Sequence, residues 1–326
     1  MDAKLQQKNG FGDFLPAFLY KSAKNAYLCS AKRNRIMQPK LTFYNIADGV
    51  TAFSTTRHGG CSTGRYAAFN INRFCGDDEG HILKNREALC ALLGIGDDRL
   101  LMPHQVHQTR TIRIDEPLLS LTEKQRREAL EGYDALMTDL SGVCVGVSTA
   151  DCIPILLYDE AHHAICAIHA GWRGTVARIA EKAVEEMKAA YGTHPEQVKA
   201  QIGPGIHLDS FEVGDEVYEA FAQAGFSMEQ ISKKYPPSDS GSKFLRPFFS
   251  ERPEVESFTL HSSFFTSKWH IDLPECNRQQ LMASGLSASS IAVSPVCTYL
   301  QSTDYFSARR LGINSGRIFT GILLRG

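Results

Sequence analysis

The sequence has 326 residues, enough for two average domains or for one large α/β domain. Its 43% hydrophobic and 22% charged residues are ordinary for a globular protein, and its net charge of −1 gives no support to nucleic-acid or membrane-surface binding. No apolar run approaches the roughly 18 residues of a membrane span, and nine cysteines without a CxxC pair predict free thiols in a reducing cytoplasm.

Residues 1–36 differ from the rest of the chain. They mix basic and aromatic residues without sustained periodicity, and they contain neither a continuous apolar segment nor a small-residue cleavage site. Met37 follows directly. We therefore interpret residues 1–36 as a poorly defined extension and residues 37–326 as the folded domain.

The first half of this domain predicts short strands and two helices. Strands at residues 41–45 and 51–55 lead into a polar, glycine-rich loop that contains Arg57. Residues 77–94 predict a helix, since aspartates open it, a glycine closes it and leucines recur at helical spacing. The segment Pro-His-Gln-Val-His, ending at His107, precedes a predicted strand at 109–114, and a charged helix is predicted at 120–131.

The densest signals lie in residues 134–190. Three apolar runs predict strands at residues 143–148, 153–158 and 164–168. Asp151 and Cys152 lie between the first two, and His169 follows the third, just before Ala-Gly-Trp-Arg-Gly and an amphipathic helix. A thiol and an imidazole at strand ends, beside a glycine-rich helix start, favour an α/β protein with its chemistry at that edge.

The C-terminal half is less regular. A strand is predicted at 198–202 and a helix at 215–224. Residues 236–268 are rich in proline, serine and aromatic residues, which indicates an irregular insertion. Order resumes with a helix at 275–283 and a final strand at 317–323.

One cysteine and two histidines at the ends of apolar runs suggest a metal site. His107, Cys152 and His169 form a ligand set that suits zinc, and three protein ligands leave a fourth position open. The alternative is that Cys152 is only a small buried hydrophobe. Other histidines lie nearby: His104, His162 and His163. We interpret the first as a partner of a ligand and the other two as solvated side chains of a turn.

Several arginines are candidates for binding an anion. The helix start at Gly171–Thr175 offers backbone N–H groups, and Arg173 adds a bidentate donor. Arg57 and the pair Arg309–Arg310 lie in polar or glycine-rich segments that could approach phosphate. The alternative is a plain strand-to-helix turn and solvated surface arginines. The nucleotide-binding signatures GxGxxG and GxxxxGK[ST] are absent.

From about residue 50 onward, successive motifs resemble the laccase-domain family, also called the multicopper polyphenol oxidase family. They are TTRHGGCSTGRYAAFNI, QVH, DALMTDLSGVCVGVSTADCIPILLYD, AIHAGWRGTVARI, IGPGI with FEVGDEV, and CTY with YFSARRLGINSGR. The resemblance implies a single α/β (α+β) domain, built as a layered α/β/β/α sandwich. It also implies one zinc ion per chain, held by His107, Cys152 and His169. Residues 1–40 and 236–268 depart from the family pattern.

Members of this family are described as purine nucleoside phosphorylases. The resemblance therefore implies cleavage of adenosine, inosine and 5′-methylthioadenosine by phosphate, with deamination of adenosine as a side activity. The products would be the free base and ribose 1-phosphate or its methylthio analogue. For this chemistry we predict Cys152, Asp151 and Arg57 as catalytic residues, with Asp151 shuttling protons, and Arg57, Arg173, Arg309 and Arg310 as phosphate or substrate ligands. Asp151 could instead cap the strand-end turn.

Two other functions remain open. A copper-dependent polyphenol oxidase would need many imidazoles, whereas this chain has eleven histidines and no HxH pair. Copper could still bind a His/Cys site adventitiously. A non-catalytic zinc-stabilised binding protein is the third interpretation, but structural zinc prefers four protein ligands and only three converge by motif. No oligomeric state is indicated.

Overall fold

The computed structural model describes residues 38–235 and 267–326. The predicted extension at 1–36 and residues 236–266 of the predicted insertion lie outside this part of the chain, so both stay predictions. Lys268, the last residue of that insertion, already begins a strand. Within the described residues, no helix has the length and apolarity that crossing a membrane requires.

The described residues form fourteen strands and nine α-helices. The strands are β1 Leu41–Tyr44, β2 Val50–Thr55, β3 Leu100–Leu101, β4 Thr111–Arg113, β5 Ala135–Thr138, β6 Cys144–Thr149, β7 Ile153–Asp159, β8 Ala164–Ala170, β9 Val198–Ile202, β10 Glu212–Val213, β11 Ser232–Tyr235, β12 Lys268–Ile271, β13 Ile291–Val293 and β14 Ile318–Leu324. The helices are α1 Glu79–Leu93, α2 Glu116–Leu119, α3 Glu123–Ala129, α4 Trp172–Val176, α5 Ile179–Tyr191, α6 Asp215–Gln223, α7 Met228–Ile231, α8 Leu273–Ala283 and α9 Ala308–Leu311.

In this part of the chain the strands form two large sheets and one small sheet. The first has five strands in the order β1-β2-β14-β6-β3, and the second has six in the order β13-β9-β7-β8-β5-β4. The third contains β10-β12-β11. Strand β14 runs antiparallel to both its neighbours, with Thr320 opposite Ser54 on one side and Val147 on the other.

Alternating side chains on the strands produce the layers. On β8, Ile165 and Ala167 belong to a core shared by the two large sheets, whereas Cys166 and Ile168 face α5 on the other side. On β6, Val145 likewise faces the second sheet. Helix α1 covers the outer face of the five-stranded sheet, and α5 and α8 cover that of the six-stranded sheet. The predicted α/β/β/α sandwich is therefore confirmed, and each fully buried Leu, Ile or Val contributes roughly 1.5–3 kcal/mol to it.

Helix α1 follows its sequence signals. The Asp78 side chain accepts a hydrogen bond from the N–H of His81 and caps the N-terminus, while Gly94 ends the helix in the left-handed conformation at φ 72°. After Gly171 the structure differs from the single predicted helix. Helices α4 and α5 are separated at Arg178, which has φ 64°. Its guanidinium bonds to Glu181 and to the carbonyl of Ala224, and these contacts hold the break.

Candidate active site

Three side chains from separate segments meet at one end of the sandwich. His107 lies in the loop between β3 and β4, Cys152 in the turn between β6 and β7, and His169 near the end of β8. Their ligand atoms all lie within 4.8 Å of one another. The two imidazole rings stand edge to face at 80°, with centroids 4.7 Å apart. His169 is buried, Cys152 is half-buried and His107 is exposed, so the cluster opens to solvent on one side.

The strand register explains why two of these residues meet. Strands β7 and β8 form an antiparallel hairpin in which Ile153 lies opposite Ala170. Cys152 therefore adjoins the end of β8, where His169 stands. The predicted strand at 164–168 extends to Ala170, so His169 lies within β8 and not beyond it. It follows Ile165 and Ala167 at period two and so faces the layer between the two sheets.

Asp134 joins the His107 loop to the strand that carries His169. The sequence alone assigned no role to this residue. Its carboxylate is fully buried at the start of β5. Oδ1 accepts hydrogen bonds from Nδ1 of His169 at 2.8 Å and from the backbone N–H of His107 at 2.9 Å. Oδ2 accepts from the N–H of Gln108 at 2.7 Å and, more distantly, from that of Val106 at 3.4 Å. An aspartate directly before the buried run Ala-Leu-Met was the available signal.

The His107 loop is also fixed to β6. The side-chain amide of Gln105 donates to the carbonyl of Ser148 at 2.9 Å and accepts from its N–H at 2.8 Å. The amide of Gln105 thus forms with Ser148 the same two hydrogen bonds that a residue on a neighbouring strand would form at the end of β6. The loop is therefore attached to both large sheets, through Gln105 to one and through Asp134 to the other.

Gly171 makes room for the cluster. A Cβ atom at this position would lie 2.9 Å from Cδ2 of His107 and 3.1 Å from Sγ of Cys152. Its φ of −70° is open to any residue, so glycine is needed here for space and not for backbone conformation. One thiol and two imidazoles, open to solvent on one side and closely packed against Gly171, form a donor set that suits a metal ion such as zinc.

The charges within the cluster also favour a cation. Burial alone would raise the pKa of the Cys152 thiol, but the adjacent His169 and His107 outweigh burial and lower that pKa. Burial alone would lower the pKa of His169, but the Cys152 thiolate and Asp134 raise it. Burial would likewise raise the pKa of Asp134, but His169 and the loop N–H groups lower it. These directions favour a thiolate at Cys152 and a protonated ring at His169 in the metal-free site, and a metal cation can replace the ring proton.

A cavity of about 300 Å³ lies against the cluster. Its lining includes the three clustered side chains together with Asn72, Phe74, Cys75, His104, Gln105, Ser148, Thr149, Ala150, Ala308, Ile313 and Arg317. Phe74 is 44% exposed and its ring stacks on that of His104 with centroids 4.0 Å apart. Nδ1 of His104 lies 2.6 Å from Oε1 of Glu131. The side chain of His104 is therefore hydrogen-bonded to Glu131, which lies outside the cluster, and not to His107 or His169.

The four arginines predicted to bind an anion lie outside the lining of this cavity. Arg57 donates through Nε to the carbonyl of Ala67 at 3.0 Å and through Nη1 to that of Ser302 at 2.7 Å. Arg173 lies over the ring of Trp172, 4.2 Å from its centroid, and α4 is only five residues long. The side chains of Arg309 and Arg310 lie over aromatic rings of Phe211 and Tyr299. None of the four is among the cavity-lining residues that the structure describes.

The sequence left two roles open for Asp151, proton transfer and capping of a turn, and the structure shows what its side chain contacts. It has φ 89°, and its carboxylate accepts from the hydroxyl of Thr298 and from the backbone N–H of Arg309, both at 2.7 Å. The carboxylate thus ties the turn before Cys152 to the segments around residues 298 and 309. His162 and His163 lie in the turn between β7 and β8, as predicted.

Comparison with known proteins gives consistent matches. Residues 51–246 and 238–325 match a family model described as multi-copper polyphenol oxidoreductase laccase. A purine nucleoside phosphorylase of Bacteroides thetaiotaomicron is 42% identical over 275 residues, which cover 84% of this chain and 92% of that protein. Adenosine deaminase RL5, from an unknown prokaryotic organism, is 42% identical over 283 residues, or 87% of this chain and 97% of that protein.

Solved structures share the fold. The hypothetical protein YfiH of Bacillus licheniformis superposes with a TM-score of 0.73 at 24% identity, over 89% of this chain and 98% of that one. YlmD from Geobacillus stearothermophilus gives a TM-score of 0.69 at 28% identity, over 87% and 94%. The likeness spans nearly the whole of both proteins, which confirms the predicted single-domain fold.

Proposed function

The chain belongs to the multi-copper polyphenol oxidoreductase laccase family, and from this membership we propose that it is a purine nucleoside phosphorylase that also deaminates adenosine. The observation that carries the proposal is the cluster of His107, Cys152 and His169 on the wall of a cavity of about 300 Å³. A cavity of that size lies at the lower end of the range for small-molecule sites and suits a nucleoside. The substrates we propose are adenosine, inosine and 5′-methylthioadenosine, together with phosphate.

We propose zinc as the resident metal, one ion per chain. His107, Cys152 and His169 would hold it, and the space that Gly171 leaves beside two of them fits that role. When bound, zinc would supply Lewis acidity and make a water molecule nucleophilic near neutral pH. In residues 38–235 and 267–326, one group of three His, Cys, Asp or Glu side chains lies close enough together to hold a metal ion. A single such group supports a one-metal site over a multi-copper centre. Copper could still bind adventitiously to the same three ligands.

The cavity walls offer contacts for both parts of a nucleoside. The exposed face of Phe74 can stack on a purine, since aromatic rings pair at such distances. The phosphate would bind to arginine, because a guanidinium matches its oxygens bidentately. Arg57, Arg173, Arg309 and Arg310 remain our sequence-based candidates. We add Arg317, which lines the cavity.

Both reactions need proton transfer. Base release leaves a purine anion that must gain a proton, and deamination moves protons from water to the departing ammonia. Asp151 remains our sequence-based candidate, although both its carboxylate oxygens already accept hydrogen bonds. His104 is a second candidate, because it lines the cavity and Glu131 holds its Nδ1 in the arrangement of an oriented base. We place the reaction in the cytoplasm, in keeping with the free thiols of the described cysteines.

The decisive experiment measures hypoxanthine release from inosine with and without phosphate. The proposal expects release to require phosphate and to yield ribose 1-phosphate, while adenosine deamination continues in phosphate-free buffer. Metal analysis of protein purified without added metal should give about one zinc per chain, the stoichiometry of a three-ligand site. Equal release without phosphate would show a hydrolase instead. Stoichiometric copper with phenol oxidation would show the oxidase that the family description names.

A further inference from the structure

We infer that Asp134 is a positioning residue that orients two metal ligands from separate segments, His169 through its ring and His107 through its loop. This inference rests on the metal site of the proposed function. Asp134 itself is not among the residues whose ligand atoms cluster. It acts only through its neighbours.

The first step concerns the His169 ring. A buried, ionised carboxylate can only accept hydrogen bonds, so the hydrogen between Asp134 Oδ1 and His169 Nδ1 belongs to the imidazole. In the neutral ring, which is the form that binds a metal, Nε2 is then the nitrogen with a free lone pair. Carboxylates that hold a metal-binding histidine in this way fix its orientation and raise its basicity. Asp134 therefore decides which nitrogen of His169 can bind a metal.

The second step concerns the His107 loop. His107 has φ 61°, a left-handed conformation that is unfavourable for a residue other than glycine. This backbone turns three successive N–H groups toward one carboxylate, as in the concave nests that bind anions. Hydrogen bonds to a charged group are stronger than those between neutral groups, so the three bonds to the carboxylate offset the unfavourable backbone conformation. Without the negative charge of Asp134, the hydrogen bonds that stabilise this loop conformation would be weaker or lost.

The two effects are coupled because one group produces both. The backbone carbonyl of Asp134 also accepts the N–H of His169 at 2.7 Å, which places the carboxylate in strand register with that ligand. An asparagine at this position would present an NH₂ group to donors that need acceptors. Each oxygen accepts two of the four hydrogen bonds, so the amide would leave two of them without an acceptor, and the remaining two would lose the negative charge that strengthens them.

The chain contains a matched control at the far end of β7. Asp159 is also fully buried, and its Oδ2 lies 2.8 Å from Nδ1 of His162. Its Oδ1 accepts from the backbone N–H groups of Ala161 and His162. This aspartate therefore repeats the carboxylate–imidazole and carboxylate–backbone contacts without a cysteine or second histidine of the cluster nearby.

The test compares wild type, Asp134→Asn and Asp159→Asn for the dissociation constant of Zn²⁺, measured by competition with a chelator, and for melting temperature. Loss of a carboxylate behind a metal-binding histidine typically weakens metal affinity about 10- to 100-fold. We expect this weakening in Asp134→Asn alone, whereas both variants lose thermal stability. Unchanged Zn²⁺ affinity in Asp134→Asn, or equal weakening in Asp159→Asn, would overturn the inference.

A second measurement needs no variant and stays decisive if Asp134→Asn fails to fold. In the zinc-loaded wild type, ¹⁵N NMR of histidine should show His169 protonated at Nδ1 and coordinated through Nε2. Coordination through Nδ1 would overturn the inference. A wild type that binds no Zn²⁺ would remove both the proposed metal and this role. Zinc binding with the expected variant effects but no phosphate-dependent base release would refute the proposed reaction and leave the role of Asp134 standing.

Discussion

Asp134 and His169 are joined at two points, side chain to side chain at 2.8 Å and His169 N–H to Asp134 carbonyl at 2.7 Å. The second bond continues the antiparallel pairing of β5 with β8. The imidazole therefore cannot turn without giving up its contact to a carboxylate that the sheet itself holds in place. Of the three clustered side chains, His169 is the buried one, and it is the fixed point against which the other two are arranged.

Cys152→Ser and His169→Ala should lose the metal and keep the fold. Neither residue belongs to the apolar clusters between the layers, so those cores should form without it. Zinc affinity should fall by more than the roughly 10- to 100-fold seen for groups that only contact a ligand. Metal analysis after dialysis and circular dichroism test this. Cys75→Ser is the control, since Cys75 lines the same cavity but lies outside the cluster. Stoichiometric zinc in either ligand variant would show that the ligand set is wrong.

Gly171→Ala should weaken metal binding with little effect on stability. The added methyl group would press on the His107 ring at 2.9 Å and on the Cys152 sulfur at 3.1 Å, while the backbone conformation suits alanine. Sites of this kind tolerate displacements of only about 0.5 Å, so we expect an affinity loss of about tenfold, or roughly 1.4 kcal/mol. Gly80→Ala, near the start of α1, is the control and should leave zinc affinity unchanged.

In metal-stripped protein, Cys152 should be alkylated at lower pH than an ordinary thiol. The thiolate is the reactive form, and the neighbouring imidazoles lower the pKa of Cys152 against the effect of burial. Reaction with iodoacetamide should therefore continue below the usual thiol pKa of about 8.5 and cease only as the pH falls through the lowered value. Cys75, whose pKa burial raises, should react only at higher pH.

The same shift has a consequence for stability. Because the pKa of the Cys152 thiol is lower in the folded state than in the unfolded state, its ionisation stabilises the fold at pH values above the unfolded-state pKa. This contribution disappears as the pH falls through the folded-state pKa.

In His169→Ala the alkylation profile of Cys152 should move to higher pH. Identical profiles for Cys152 and Cys75, followed peptide by peptide with mass spectrometry, would contradict the thiolate assignment.

Arg57 and Arg317 are expected to differ when each is replaced by alanine. Arg57→Ala leaves the carbonyls of Ala67 and Ser302 without their donor, which should lower stability by roughly 1.5–3 kcal/mol per lost charged bond. The guanidinium of Arg317 also donates to main-chain carbonyls, those of Ser315, Gly316 and Ile313, so Arg317→Ala should lower stability as well. Unlike Arg57, however, Arg317 lines the cavity, and its loss should raise the KM for phosphate more than the KM for inosine. A selective rise in the phosphate KM for Arg57→Ala, at unchanged melting temperature, would assign phosphate to Arg57 instead.

A chain that begins at Met37 should match the full chain in melting temperature and activity. Residues 1–36 lack an apolar periodicity that could pack on a domain. Differential scanning calorimetry of both chains tests this. A decrease of several degrees, which corresponds to roughly 1–2 kcal/mol for a chain of this size, would show that the extension contributes to the fold.

Local patterns predicted most of the elements but not their partners. The run before His169 and the caps of α1 could be recognised because apolar periodicity and capping residues are local signals. Strand β14 reads as an ordinary apolar run, and nothing in it indicates that it pairs with β2 and β6. The break at Arg178 was missed for a similar reason, since its left-handed backbone is stabilised by the distant carbonyl of Ala224.

Within the site, the cluster was predictable and its support was not. Cys152 and His169 are chemically distinctive residues at strand ends, so they can be singled out by type. An aspartate such as Asp134 is usually a surface residue, and its complete burial becomes visible only when β5, β8 and the His107 loop are assembled. Arg57 shows a further limit of local patterns. A cation in a glycine-rich loop predicts an anion site, and the sequence does not reveal that two of its donors bind main-chain carbonyls.

The place of β14 in its sheet has a consequence for synthesis of the protein. Strands β1 and β2 are linked to β6 and β3 through β14, and its Thr320 pairs with Ser54 from 266 residues earlier. A chain emerging from the ribosome therefore carries two open sheet edges until residues 318–324 become available, and such edges invite pairing with other chains. A premature stop after β8 but before β14 would leave both edges open permanently. Its expected fate is aggregation or proteolysis, even though every residue of the His/Cys cluster has already been made.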